Sequence, residues 1–462
     1  MWSRLLASRW FYAAAAALMV AAAVGSQIEI DRNPRPRGTV EDILRLRERG
    51  DLNLLFVLID TLRADRLSAY GYERETSPHL EALAADGIRF AENLSQSSWT
   101  KCSMASLWTG LYPVSTAVTR SPQAVPEDAR MPAEILRDAG YRTFAIWRNG
   151  WISPAFGFSQ GFEIYHSPRA SPVPATLRRE NPTAGLVGTD QDIAKSAMEF
   201  LRTHGQERWF LYLHLMDVHQ YVYDADTALF GTSYSDIYDN SIRWVDRVLG
   251  SVIRGLDARG LRDRTLVVVA ADHGEAFGEH GREGHARDVY GEVTTTPWVM
   301  SLPFRLEPGI VVETPTENVD LWPTLLDLLG LPGLERPDGR SRLPEVLAAA
   351  RGEPAPDGQR PRFAHIDQAW GQTRQRPRPM VSVSDGPYRL VRYSGGRAHL
   401  YDRSEDPAEQ RDIGAERPEE KARLEALVRD YLERPPAPWR ASEVEIQPDE
   451  LEQLRALGYG VQ

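Results

Sequence analysis

The chain has 462 residues, 42% hydrophobic and 26% charged, with 54 Lys and Arg against 65 Asp and Glu for a formal net charge of −11. That apolar share argues against a disordered chain and a polytopic membrane protein, and an acidic balance without long basic runs argues against nucleic acid as a partner. A single cysteine, Cys102, excludes an intrachain disulfide framework and any multi-cysteine zinc site.

In chain order, Arg4 and Arg9 precede an uncharged, Ala-rich run over 10–25. A basic stretch followed by an apolar one is the pattern of an export signal, assigned to 1–26. The run falls short of the roughly 20 residues that span a bilayer. Small residues around Ala23, Gly25 and Ser26 suit cleavage, and an uncleaved membrane anchor fits as well. Either way the bulk of the chain is expected outside the cytoplasm: periplasmic, extracellular or tethered facing outward. Residues 27–50 form a charged, Pro-containing linker.

Leu54–Ile59 is then a continuous apolar run, as expected of a parallel strand buried on both faces. Similar runs are Tyr141–Trp147, Trp209–Leu213 and Leu266–Ala270. Helical patterns lie between them. In 77–88, Ser77 suits the cap, Pro78 the first turn and Gly87 the stop, and 238–259 repeats apolar residues at helical spacing. The alternation predicts a doubly wound α/β sheet over 51–340, with helices on both faces. After about residue 335 the pattern changes: a Pro-, Gly- and Arg-rich stretch over 350–362, then a hairpin from Tyr388–Tyr393 and Ala398–Asp402, and a charged helix near 416–433. This reads as a small subdomain of antiparallel sheet plus helix over 360–435, followed by a polar tail over 436–462.

Three of the apolar runs end in residues that can hold a metal: Asp60, His214 and Asp272-His273. Ligand sites in open α/β sheets lie beyond the carboxyl ends of the strands, so these residues are expected to converge. One Asp after a strand is ordinarily a helix cap; three sites at equivalent positions point to chemistry. Five of the ten histidines, His214, His219, His273, His280 and His285, fall in two short windows, which suggests metal or phosphate chemistry. A helix also starts near Thr100. Backbone N–H groups at such a start bind an anion, a hydroxyl there can attack a phosphorus or sulfur centre, and a divalent metal would lower its pKa. Taken alone, Thr100 reads as an N-cap.

The strings VLIDTLRADRLSAYGY, SSWTKCSMASLWTGLYP, LHLMDVHQYVY and ADHGEAFGEHGREGHA, in this order, resemble the sulfatase branch of the alkaline phosphatase superfamily; with NVDLWPTLLDLLGLP and YRLVRYSGGRAHLYDRSEDPAE the resemblance spans about 52–433. It implies an alkaline-phosphatase-like fold and a metal-dependent ester hydrolase or transferase. Sulfatases carry C-x-P-S-R, with Thr-Gly nine residues after a Cys that is oxidised to formylglycine. Counting back nine from Thr109 reaches Thr100, which places Cys102 at the Pro position and Met104 at the Arg position. The resemblance therefore makes Thr100 the nucleophile. Leu111 and His285 stand where basic residues are usual, and Thr61 replaces the second Asp of an Asp-Asp pair.

By resemblance, Asp60, Thr100, Asp272 and His273 would hold one divalent metal: Mn, Mg, Ca or Zn. His219 and His285 would bind the transferring group or protonate the leaving oxygen. His214 and Asp217 are alternatives for a second metal site, and His280 for the rim of the substrate site. A Thr nucleophile cannot expel sulfate by collapse to an aldehyde, so the expected substrate is a phosphate ester, with a covalent phospho-threonine resolved by water or an alcohol. A true sulfatase using Cys102 and a catalytically silent binding protein are the competing readings.

Overall fold

The strand after the linker is apolar at six of its seven positions because both faces are covered. In β1 (Asn53–Ile59), Leu54, Phe56 and Leu58 point into a core that holds Trp108 and Trp322. Leu55, Val57 and Ile59 point into a second core with Leu80, Ile193 and Ile242. The computed structural model describes residues 35–172, 188–356, 360–372 and 374–456, together with positions 13 and 19. The export-signal reading of 1–26 and the first part of the linker lie outside the described residues. Among those residues no helix is long and apolar enough to cross a membrane.

β1 is central in a sheet with β2 (Ile88–Phe90), β3 (Arg142–Ile146), β4 (Ile164–His166), β5 (Trp209–Leu215), β6 (Thr265–Ala270), β7 (Trp298–Ser301) and β8 (Ile310–Val312), in the order β8-β2-β7-β6-β1-β5-β3-β4. β1 runs parallel to β5 and β6, and β3 parallel to β5 and β4. The sheet is mixed, since β7 pairs antiparallel with both β6 and β2. The long loop after β6 ends at the carboxyl side of the sheet, so the next strand must return in the opposite direction.

One face carries α1 (Pro78–Ala85), α3 (Asp190–His204) and α4 (Tyr234–Asp257), the other α2 (Thr100–Thr109). α1 starts after Ser77 as expected, but Ser77 makes no capping bond. The cap comes from α4, where the Asp246 carboxylate accepts from the N–H groups of His79 and Leu80, both at 2.9 Å. α4 begins before the expected 238 because Ser233 and Asp236 form a capping box. A helix not expected from the sequence, α5, covers Leu343–Arg351.

The C-terminal subdomain is a four-stranded antiparallel meander, β9 (Arg362–Asp367), β10 (Pro379–Asp385), β11 (Tyr388–Arg392) and β12 (Ala398–Asp402), packed on α6 (Pro418–Leu432). The expected hairpin is β11–β12, turning at Gly396 with φ +87°. Beyond it the chain is more than a polar tail. Ser442 and Glu443 pair with Ala124 and Gln123, and α7 (Pro448–Ala456) buries Leu454 in the main core.

Candidate active site

The carboxyl ends of the central strands bring the polar residues together. Asp60 follows β1, Asp272 and His273 follow β6, His214 lies near the end of β5, and Asn149 lies three residues past β3. All five are fully buried. Asp60, Asp272 and His273 place one ligand atom each within 4.8 Å of one another, the group among the described residues that could hold a metal ion. His273 Nε2 lies 3.3 Å from Asp272 Oδ2 and 3.9 Å from Asp60 Oδ1.

The hydrogen bonds leave this cluster with lone pairs and no donor. Asp60 Oδ2 accepts from Asn149 Nδ2 at 2.6 Å and His214 Nε2 at 3.0 Å, while Oδ1 accepts nothing among the described residues. Asp272 Oδ1 accepts from the backbone N–H groups of Thr61 and His273, while Oδ2 likewise accepts nothing among the described residues. His273 Nδ1 faces the Gly274 carbonyl at 3.0 Å and must carry the proton there, so in the neutral ring Nε2 is an acceptor. Buried polar atoms are ordinarily paired. Two orphaned carboxylate oxygens beside an imidazole lone pair are the donor set of a divalent cation.

Electrostatics agree. Burial and the charge of Asp60 push the Asp272 carboxyl up to about 7. Burial also works to raise Asp60, but His214, His219 and His273 outweigh it and hold that group below the usual carboxylate range. Without a cation, the pair does not ionise together cheaply.

Thr100 completes the cluster. It is the first residue of α2, with Trp99 in the cap position. The N-cap reading therefore fails by position, and the hydroxyl turns to the cluster: Oγ1 lies 3.1 Å from His273 Nε2 and 3.4 Å from Asn149 Nδ2. Ser103, one turn on, donates to the Asp272 carbonyl at 2.6 Å and ties α2 to the loop after β6. Cys102 lies about 200° around the helix from Thr100, fully buried, with its sulfur 3.9 Å from the His365 carbonyl oxygen. Burial pushes its thiol up to about 12.

Thr61, which stands for the second Asp, sits in the left-handed region at φ +59°, a strained position for a β-branched residue. Its hydroxyl turns back to the Asp60 carbonyl at 2.7 Å, and its carbonyl accepts from Tyr238 at 2.6 Å. The strain lets its N–H reach Asp272.

His219 and His285 face the cluster. Their ring centroids are 4.9 Å apart, and His285 is 4.6 Å from His273. Burial opposes protonation of both. His219 is held below the ordinary histidine range, whereas the Glu275 carboxylate outweighs burial at His285 and raises it.

The remaining expected residues go elsewhere. His214 uses both nitrogens: Nε2 on Asp60 and Nδ1 on the Tyr212 hydroxyl at 2.7 Å, so it orients Asp60. Asp217 is taken up by Arg148 at 2.7 Å, the Trp244 indole N–H at 2.8 Å and the Asp190 N–H at 2.8 Å, which leaves no oxygen for a second metal. His280 lies on Tyr290, with ring centroids 3.6 Å apart, and its two nitrogens are taken by Glu292 and the Glu409 carbonyl.

Asn149 was missed because Asn-Gly reads as a turn. Its Oδ1 does cap the short turn Gly150–Ile152 through the Trp151 N–H, which fixes Nδ2 on Asp60. Its place just past a buried strand, shared with Asp60 and Asp272, was the available signal.

A family model described as Sulfatase matches residues 52–331. A second, described as N-sulphoglucosamine sulphohydrolase, C-terminal, matches 278–434. The chain is 23% identical over 401 residues to the Ulvan-active sulfatase of Formosa agariphila, covering 78% of this chain and 76% of that one. It is also 23% identical over 481 residues to the N-acetylgalactosamine-6-O-sulfatase of Bacteroides thetaiotaomicron, covering 81% and 92%. The solved phosphonate monoester hydrolase of Agrobacterium radiobacter superposes with a TM-score of 0.64 at 20% identity, over 82% of this chain and 96% of that one.

Proposed function

The chain belongs to the sulfatase family of the alkaline-phosphatase-like superfamily, whose members are metal-dependent ester hydrolases, and from that premise we propose that it cleaves or transfers phosphate esters through a covalent threonine intermediate. The observation that carries this reading is the position of Thr100. Its Oγ1 lies within the cluster, 3.1 Å from His273 Nε2, while Cys102 faces the core on the other side of the same helix.

Asp60, Asp272, His273 and Thr100 would hold the metal. When bound, it would neutralise the ester oxygens and favour the deprotonated hydroxyl. The first N–H groups of α2 bind the non-bridging oxygens of the ester. Asn149 holds Asp60 and keeps its amide within reach of Thr100. Thr100 Oγ attacks phosphorus, His219 or His285 assists the leaving oxygen, and water or an acceptor alcohol resolves the phospho-threonine. The resemblance of residues 1–26 to an export signal supports an enzyme working outside the cytoplasm.

Hydrolysis of sulfate esters is the second reading, favoured by the named activities of the curated relatives. It would require Cys102, fully buried and turned away from the Asp60–Asp272–His273 cluster, to mature to formylglycine. Aryl sulfate, phosphate monoester and phosphodiester substrates assayed with Mn, Ca, Mg and Zn separate the two. Thr100→Ala is expected to lower turnover of the preferred phosphate ester by about 10³-fold or more. Full turnover by that variant, or an intact mass showing formylglycine at Cys102, would overturn the proposal.

A further inference from the structure

Glu275 comes two residues after His273 and is 2% exposed, with its carboxylate sunk beside the site. No guanidinium or ammonium meets that carboxylate among the described residues. Arg63 bonds this residue only at the backbone: its Nη1 donates to the Glu275 carbonyl and to Glu279 Oε1, both at 2.8 Å, and its Nε and Nη2 go to Asp65. Both Glu275 oxygens instead lie 3.3 Å from His285 Nδ1.

The chain trace makes this meeting obligatory. Ala276 and Phe277 pair antiparallel with Gly284 and Glu283, so the next pair in register sets Glu275 opposite His285. Gly284, at φ +81°, bends the returning strand there. The main chain just beyond the histidine is pinned twice: the Ala286 N–H donates to the Ser98 carbonyl at 2.7 Å, and the Ala286 carbonyl accepts from the Trp370 indole N–H at 3.0 Å. Backbone and carboxylate together set the ring with Nδ1 on Glu275 and its centroid 4.6 Å from that of His273, whose Nε2 lies beside Thr100 Oγ1.

We propose that Glu275 is a positioning residue that holds His285, through Nδ1–H, with Nε2 presented to the oxygen leaving the substrate. This rests on the reading of Thr100 as nucleophile and chooses between the two histidines that reading left open. The arrangement follows the general logic of an imidazole oriented by a carboxylate on its far nitrogen. As the Thr100 alkoxide forms its bond to phosphorus, the bond from phosphorus to the leaving oxygen breaks, and its electron pair stays on that oxygen. The leaving oxygen takes the proton from His285 Nε2. In the second half His285 Nε2 takes a proton from the attacking water, whose oxygen bonds to phosphorus while Thr100 Oγ departs as alkoxide. The protein ends as it began.

The test compares the full-length, metal-loaded protein with Glu275→Gln on aryl phosphate esters whose leaving phenols rise in pKa from 4-nitrophenol to phenol. A good leaving group needs no proton, so kcat on the nitrophenyl ester is expected to fall no more than about threefold. On the phenyl ester it is expected to fall about 100-fold, with KM and metal content unchanged. Glu275→Asp keeps the charge and is expected to recover about tenfold of that loss. If the Gln variant fails to fold, the Asp variant carries the comparison, with the same tilt at smaller amplitude.

A second readout needs no turnover. In 15N-histidine NMR the neutral His285 ring is expected as the Nδ1–H tautomer in the wild type and displaced from it in Glu275→Gln. An equal loss across the series, an unchanged tautomer, or the loss of a bound metal equivalent would each overturn the proposal; the last would make Glu275 a ligand. Thr100→Ala on the same series tests the nucleophile separately, so failure of that reading is distinguishable from failure of this one.

Discussion

Two buried carboxylate clusters in this molecule show opposite treatments of the same chemistry. At the start of the helix Leu321–Leu328, Asp320 Oδ2 accepts from Arg342 Nε at 2.7 Å and Nη2 at 2.6 Å, and Oδ1 accepts from Arg360 at 2.6 Å and the Arg340 N–H at 2.9 Å. Beside it, Glu317 is satisfied by Tyr112, Gln96 and Arg360. At the ends of β1 and β6, Asp60 and Asp272 are equally buried, yet each leaves one oxygen without a hydrogen bond, and no guanidinium approaches among the described residues. A carboxylate closed by arginine does structural work. One left open toward another carboxylate and an imidazole lone pair is organised for a cation from outside.

The sharpest way to break the comparison is to remove a partner from each side. Arg342→Met takes both guanidinium bonds from Asp320 Oδ2 and one of the two arginines from Glu345, and is expected to destabilise the fold by about 3 kcal/mol in a denaturant titration. Asp60→Asn is expected to leave the metal-free protein at least as stable. The amide oxygen can keep the bonds from His214 and Asn149, and the exchange removes one charge from the buried pair with Asp272.

Divalent cation at 100 times its Kd is expected to stabilise the wild type by about 2.7 kcal/mol and the Asp60→Asn variant not at all, read as a rise in Tm. A destabilised metal-free Asp60→Asn, or a cation-induced rise in that variant, would contradict the distinction.

A third cluster lies between these extremes. His280 joins the loop after β6 to the C-terminal subdomain through Glu292 and the Glu409 carbonyl. Burial lowers its pKa, but Glu292 and Glu409 outweigh that and raise it to about 9. A group raised in the folded state stabilises fully below its unfolded value near 6.5, and that stability is lost as pH rises through 9. Tm is therefore expected to fall between pH 7 and 9.5, and to fall less in His280→Gln. The smallest effect is expected at Cys102. Cys102→Ala should cost about 1 kcal/mol of packing and leave turnover within about twofold, whereas a catalytic cysteine would lose activity outright.

Much of the site was legible because the central strands are short, apolar and punctuated. Asp60, Asp272 and His273 stand where a buried strand ends, and the sheet rule assembles them without any knowledge of the intervening chain. The histidine roles were less legible. His214, His219, His280 and His285 look alike in sequence, and only their partners separate them: an Asp60 oxygen, the cluster face, a tyrosine face and a buried glutamate. Asp217 reads as a ligand beside His214, but the residue that claims it, Arg148, is nearly 70 positions away.

By itself the sequence determined the alternation of strand and helix, the C-terminal meander with its hairpin, and the family, because local periodicity and motif order are carried by neighbouring residues. It also placed Thr100 in the nucleophile register. Tertiary structure alone decided that Asn149 holds Asp60, that Asp246 caps α1 from another helix, that β7 runs against its neighbours, and that Glu275 meets His285. Each depends on which distant group fills a hydrogen-bonding vacancy. That is settled when the sheet closes and buried polar atoms must be paired, an accounting no single stretch of chain contains.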